Sequence, residues 1–270
     1  MPEWRKLLAF AARDWHLRSS YHLSLLGTVG QMVFTLAMFF FIGRLVDPLR
    51  LQGMDAAAGD YFPFVVIGLV AAHYFTAALS GLSGSLRDEQ LQGTLEAMLV
   101  TPTHSASILI GGLIWELLWA TLEAGLYLVL GALLFGQDFS RINVPATMVL
   151  LALSVVVFSS LGVLAACGVL LFKEFDPVSW IAGGAMKLLG GVYFPIALLP
   201  DGLQSLARAL PMAPVLDGLR AAVLSGATLH QVRGACGAAA IFAAILWPSS
   251  LACFGWTIRR LKTAGALSFR

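Results

Sequence analysis

The sequence has little charge for its length. Only 12% of its 270 residues are Asp, Glu, Lys or Arg, whereas 59% are hydrophobic and the mean hydropathy is +0.83. Soluble domains carry about 25% charged residues, so this composition excludes an ordinary soluble enzyme or binding module. At about 20 residues for each membrane-spanning helix, the length fits about six spans and leaves no room for a separate catalytic domain.

Cysteine and the common catalytic motifs are also scarce. The three cysteines, Cys167, Cys236 and Cys253, lie in apolar segments without paired spacing, which indicates neither a disulfide framework nor a metal site. The sequence contains no Gly-x-x-x-x-Gly-Lys-Ser/Thr phosphate loop, Cys-x-x-Cys or His-Glu-x-x-His, and no Ser/His/Asp arrangement in polar surroundings. We therefore expect no catalytic residues, no bound cofactor or metal and no ATP hydrolysis by this chain. The small net charge of +2 indicates no nucleic-acid partner.

The apolar segments predict an all-α integral membrane fold, with residues 1–270 as one transmembrane domain. Residues 1–21 place tryptophans on an apolar face and basic residues opposite, which predicts an interfacial helix. Four prolines between residues 195 and 226 enclose two segments too short to cross a bilayer, so we expect two short re-entrant or surface helices on the outer side. The six predicted spans are 23–46, 61–85, 106–135, 144–172, 178–194 and 234–256.

The longest polar interruption runs from Leu86 to Pro102. A helix over residues 86–102 has Leu91, Leu95, Met98 and Leu99 on one face and Asp88, Gln92 and Glu96 on another. This pattern predicts a short amphipathic helix that ends at Pro102. The periodicity alone fits a connector between two spans as well as a docking helix for a partner.

Basic residues near the ends of the spans predict the orientation. One face has ten of them: Arg5, Lys6, Arg13, Arg18, Arg87, Lys173, Arg259, Arg260, Lys262 and Arg270. The other has six: Arg44, Arg50, Arg141, Arg208, Arg220 and Arg233. The face with more basic residues is expected to be cytoplasmic, which places both termini and the Leu86–Pro102 stretch in the cytoplasm.

With its segments in this order, the chain resembles the permease subunits of ABC exporters of the type-two superfamily, which include drug-resistance and nodulation-factor exporters. The resemblance covers nearly the whole chain. It depends most on Gly93-Thr-Leu-Glu96 leading to Thr101-Pro102, and on the series of prolines, with Leu219-Arg220 and Gly226, before the last span.

The resemblance implies a coupling helix at residues 86–102 that docks on a separate ATP-binding cassette subunit. The matching positions are Arg87, Glu89, Gly93, Thr94, Glu96, Thr101 and Pro102, with Lys173, Glu174 and Asp176 for a second contact. It also implies two copies of that ATPase, which bind ATP and Mg, a second copy of this chain, and a location in the bacterial inner membrane.

Four ionisable residues fall at membrane depth: His73, Glu116, Glu123 and Lys187. Such residues are costly in lipid unless they are paired or hydrated. We predict a Glu116–Lys187 pair near the midplane, because both lie nine or ten residues from the cytoplasmic ends of their spans. Glu123 is seven residues after Glu116 and on nearly the same helix face, and Trp115 and Trp119 flank Glu116. This face is a candidate for a surface that binds an amphiphilic or cationic substrate. A structural role in helix packing is the alternative for all four.

We expect a transport subunit of an ATP-driven exporter for an amphipathic small molecule, a lipid or a lipid-linked glycan. One alternative is a proton-coupled secondary transporter that uses Glu116 and Glu123. Another is a membrane-embedded enzyme in which Glu116, Glu123 and His73 act as acid and base.

Overall fold

The computed structural model describes residues 22–45, 61–91, 105–172 and 177–264. These residues form eight α-helices and one 3₁₀ turn, and no strand occurs among them, which confirms the predicted all-α class for this part of the chain. The helices are α1 (His22–Leu45), α2 (Tyr61–Leu91), α3 (Ser105–Phe135), α4 (Val144–Phe172), α5 (Pro177–Leu189), α6 (Asp201–Arg208), α7 (Met212–Leu224) and α8 (Arg233–Ala264).

Five helices in the described ranges are long and apolar enough to cross a membrane. Their candidate spans are Leu26–Leu45, Tyr61–Leu79, Glu116–Phe135, Val144–Leu171 and Arg233–Arg260. These coincide with the first four predicted spans and the last one. The chain is therefore a multi-pass membrane protein.

The fifth predicted span differs from the structure. Helix α5 has 13 residues and ends at Leu189, so it is about 20 Å long, whereas the hydrocarbon core of a bilayer is about 30 Å thick. The apolar run continues to Phe194, but Gly191 turns the backbone with a φ of +81°, a conformation that glycine adopts at little steric cost. The six-span layout is therefore not confirmed, because α5 by itself is too short to be a span.

The two short helices that the prolines predict, α6 and α7, have different surroundings. Helix α6 is exposed apart from Ala207, whereas most of α7 is buried against α4 and α8. The end of α7 lies at the turn between α3 and α4, because the N–H of Asn143 donates to the carbonyl of Ala222 over 3.0 Å. Helix α7 is thus part of the packed bundle, and its depth in a membrane stays a prediction.

Local hydrogen bonds shape the α3–α4 turn. Gly136 directly follows the end of α3 and has a φ of +68°. The Ser140 N–H donates to Asp138 Oδ1 over 2.8 Å, and hydrogen bonds from the Ser140 side chain and backbone lower the pKa of Asp138. Asn143 Oδ1 accepts from the N–H of Ala146 over 3.1 Å and so caps the first turn of α4.

Helix α2 continues into the predicted coupling helix. Residues Leu86–Leu91 extend α2 without a break, so a separate helix that begins at residue 86 is not confirmed. No proline follows Pro63 within α2, so no residue in this stretch forces the helix to end at residue 86. Residues 92–102, the predicted interfacial helix at 1–21 and the loop at 173–176 lie outside the described residues.

Helix α2 is at the centre of the bundle. Of its candidate span, 83% is buried, against 17% for the spans of α1, α3 and α8. Its closest neighbour is α4, where a Cβ on Gly162 would overlap the carbonyl oxygen of Ala78. Small residues at such a crossing let two backbones approach closely in a membrane. Ala71, Ala72 and Ala78 of this span are buried.

Candidate functional site

The candidate site lies where α2 packs against α3. Alanines on α3 face this seam, since Ala120 and Ala124 are buried. Gly81 of α2 lies opposite Glu116 of α3, and a Cβ on Gly81 would be 2.7 Å from Glu116 Cγ. Glycine at that position therefore makes room for the glutamate, and the seam is narrow enough for polar side chains of the two helices to meet.

Glu123 has polar partners on both helices. Its Oε2 pairs with Nε2 of His73 on α2, and its Oε1 accepts a 2.7 Å hydrogen bond from Nε1 of Trp119, one turn away on α3. The side chains of His73 and Glu123 are 31% and 13% exposed, so the pair is accessible from one side. These partners lower the cost of a carboxylate at membrane depth.

Aromatic side chains surround this pair. The His73 and Tyr127 rings are 6.1 Å apart, and Tyr127 is close enough to Glu123 and Tyr193 for electrostatic interaction. Tyr193, which follows α5, stacks on Phe39 of α1 with 5.6 Å between ring centroids. We call His73, Trp119, Glu123, Tyr127 and Tyr193 the Glu123 cluster. Its members come from α2, α3 and the segment after α5.

The structure brings together three of the five predicted intramembrane residues, namely His73, Trp119 and Glu123. Glu116 lies two turns from Glu123 along α3, against Gly81. Lys187 is partly buried on α5. The predicted pair of Glu116 with Lys187 stays a prediction.

The predicted coupling residues are described only in part. Arg87 and Glu89 are positions in the last turns of α2. The others lie outside the described residues, namely Gly93, Thr94, Glu96, Thr101, Pro102, Lys173, Glu174 and Asp176. Their role in coupling stays a prediction.

Arg220 is a buried polar residue that the sequence analysis named only in the motif before the last span and among the basic residues of the outer face. It is 8% exposed, and its guanidinium donates to the carbonyl oxygens of Phe64, Gly191 and Val192 over 3.3, 2.8 and 3.3 Å. It thereby joins α7 to α2 and to the turn after α5. The sequence could have indicated its burial, because Arg220 is a charged residue within the largely apolar α7 segment. The same reasoning identified Lys187.

The Glu123 cluster has defined chemical capacities. An imidazole beside a carboxylate can share a proton with it, and a carboxylate among aromatic rings can pair with a cation. A metal site is not indicated in the described ranges, where no group of three or more His, Cys, Asp or Glu side chains could hold an ion.

A profile of the ABC-2 type transporter family matches residues 7–224, which include α1 to α7 and the whole α2–α3 seam. The chain belongs to the ABC-2 type transporter family. Its membership agrees with the resemblance stated from the coupling and proline motifs, and it identifies the protein as a permease-type chain, a membrane component of transport.

Curated relatives of this ABC-2 permease are about a quarter identical to it over the aligned residues. Nodulation protein J of Rhizobium meliloti is 27% identical over 206 residues, or 72% of this chain and 78% of that protein. The inner membrane transport permease YadH of Escherichia coli is 28% identical over 193 residues, or 70% and 72%. The linearmycin resistance permease protein LnrN of Bacillus subtilis is 26% identical over 178 residues, or 64% of this permease and 44% of LnrN.

Proposed function

We propose that this permease is the membrane-spanning subunit of an ATP-driven exporter. With a second copy of itself, it forms the pathway for an amphipathic small molecule, a lipid or a lipid-linked glycan. The family match over residues 7–224 is the observation that carries the proposal. The membrane helices found in the described ranges support it, as do relatives named for nodulation, inner membrane transport and linearmycin resistance.

A separate ATPase subunit, present in two copies with ATP and Mg, supplies the energy in this proposal. The coupling helix is the docking point, and the continuity of α2 through Leu91 supports this role. Because α2 is the most buried of the five candidate spans, a displacement of residues 92–102 would act on the centre of the bundle. Rigid-body movement of packed helices is a common way to transmit such a change.

The proposed location is the bacterial inner membrane with both termini in the cytoplasm. The basic-residue count supports this orientation. The contact of α7 with the α3–α4 turn also supports it, because this contact returns the chain to that end of the bundle before α8 begins. In this arrangement, α5 and residues 190–226 together make the remaining crossing.

The test of ATP coupling is a Gly93→Trp variant. A bulky ring on the docking surface should reduce ATP-driven transport about tenfold or more, as a misplaced contact often does, while membrane insertion is unchanged. Co-purification of a phosphate-loop ATPase subunit and transport into inverted vesicles are the measurements.

Gly202→Trp is the matched control for this variant. Gly202 is exposed on α6, and a Cβ there meets no atom within 4 Å. This control should retain both the partner and transport. If Gly93→Trp also retains both, the coupling helix is assigned to the wrong stretch.

The His73–Glu123 pair also fits an alternative function, that of a proton-coupled secondary transporter that uses Glu116 and Glu123. A transport assay in vesicles that contain no ATP but have an imposed proton gradient distinguishes the two functions. Transport under those conditions, with no ATPase subunit in the purified complex, would favour the alternative and contradict the exporter.

A further inference from the structure

We propose that the Glu123 cluster binds the cationic group of an organic amine or quaternary ammonium ion. This inference deepens the proposed exporter function, on which it rests for the direction of transport, because it names a substrate class. The binding step itself depends only on the residues of the cluster.

The arrangement of the cluster fits an organic cation in its chemistry. Glu123 supplies one carboxylate, and the Trp119 N–H holds one of its oxygens in place. Trp119 and Tyr127 lie about two turns apart on α3. Tyr193 belongs to the segment after α5. A carboxylate beside electron-rich rings attracts a cation both by charge and through the ring faces.

His73 is the partner that a ligand would replace. An imidazole binds a carboxylate less firmly than the permanently charged side chain of lysine or arginine would. Its side chain is the more exposed of the pair, at 31% against 13% for Glu123. A cation that enters from this side meets His73 first and displaces it from Glu123 Oε2.

The membrane environment adds to the selectivity for a cation. A carboxylate in lipid surroundings gains more from a counter-ion than one in water, because water no longer screens the interaction. An anion of the same size meets a negative carboxylate at the same place. The cluster should therefore discriminate by charge between ligands of equal size and hydrophobicity.

The experiment measures equilibrium binding to the purified full-length protein in nanodiscs, without ATP. The probe is radiolabelled tetraphenylphosphonium, an organic cation that stands in for a quaternary ammonium ion. Tetraphenylborate, the anion of the same shape, is tested in separate samples because the two ions would pair with each other. Wild type should bind the cation saturably and ignore the anion. Glu123→Gln should weaken binding about tenfold and Trp119→Leu about threefold, within the usual range for charge pairing and cation–π contacts.

Matched controls separate the cluster from general effects of charge and ring removal. Asp201→Asn removes an exposed carboxylate on α6, and Trp256→Leu removes an exposed indole on α8. Both should bind as wild type does. His73→Gln removes the competing imidazole and should bind the cation at least as tightly as wild type. Weaker binding by His73→Gln, or wild-type binding by Glu123→Gln, would overturn the proposal.

A second measurement needs no variant and so avoids any folding defect. Dicyclohexylcarbodiimide modifies carboxyl groups in apolar surroundings, and peptide mass analysis locates the adduct. Tetraphenylphosphonium should protect Glu123 from this modification, whereas tetraphenylborate should not. Equal labelling with and without the cation rejects the site. If the ATPase partner is present but the cation does not bind, only this inference fails. If the cation binds but no ATPase partner exists, only the exporter function fails.

Discussion

Arg220 gives the clearest residue-level contribution to stability. Its guanidinium bonds three backbone carbonyls and lies with its central carbon 3.4 Å from the centroid of the Phe64 ring. Arg220→Met should therefore lower the free energy of unfolding by about 3 kcal/mol, because buried carbonyls would lose their donor. Thermal unfolding of the detergent-solubilised protein, followed by tryptophan fluorescence, measures this effect.

Arg208→Met is the control for the loss of a charge. Arg208 is exposed on α6, and its nearest described acceptor is Gln204 Oε1 at 3.4 Å. Its substitution should change the free energy of unfolding by no more than about 0.5 kcal/mol. Similar melting temperatures for the two variants would mean that Arg220 does not hold α7 in place.

The residues of the Glu123 cluster were predictable from sequence, but their partners were not. Charge at membrane depth identified both His73 and Glu123, whereas periodicity does not say which helices are neighbours. Counting residues from the helix ends could have paired them. His73 is twelve residues after Tyr61, where α2 begins, and Glu123 is twelve residues before Phe135, where α3 ends. An antiparallel helix pair brings such positions level.

At the scale of elements, the crossing of α2 and α4 depends on a glycine. A Cβ on Gly162 would overlap the Ala78 carbonyl, so Gly162→Ala should push the two backbones apart and destabilise the protein by about 1–3 kcal/mol. Gly125→Ala is the contrasting variant, because Gly125 is exposed on α3 with no atom within 4 Å of a Cβ. It should stabilise by up to about 1 kcal/mol through helix propensity.

The two glycine variants can be compared in one thermal denaturation series. The prediction requires melting temperatures that move in opposite directions from wild type. A Gly162→Ala protein as stable as wild type would show that the α2–α4 crossing relaxes without cost.

The sequence predicted the long helices better than the short ones. Long apolar runs located α1, α3 and α4 to within one residue at each end, since length alone distinguishes a span from other helices. They also located the start of α8 to within one residue, but placed its end eight residues too early. The predicted fifth span was longer than α5, because the hydrophobicity of this stretch does not reveal that the helix ends before Gly190-Gly191. Paired glycines are a known signal for a turn. The sequence predicted too short a helix for α2, which continues to Leu91, because charged residues are as compatible with the continuation of a helix as with its end.

For the whole molecule, the number of membrane crossings depends on α5. Arg220 no longer counts as an outer loop charge, because it is buried and bonded within the bundle. This correction leaves the majority of basic residues on the predicted cytoplasmic face, so the expected orientation is unchanged. What decides the number of crossings is whether α5 with residues 190–226 returns the chain to the outer side.

Single cysteines in a chain without Cys167, Cys236 and Cys253 test this crossing. Gln137→Cys lies in the α3–α4 turn and His230→Cys lies between α7 and α8. Both should react with a membrane-impermeant maleimide in intact cells, because the bond from Asn143 to Ala222 places the end of α7 at that turn. Ser19→Cys and Ser268→Cys, near the two termini, should react only after permeabilisation. If α5 makes no crossing, positions 137 and 230 will label on opposite sides of the membrane, and so will the two termini.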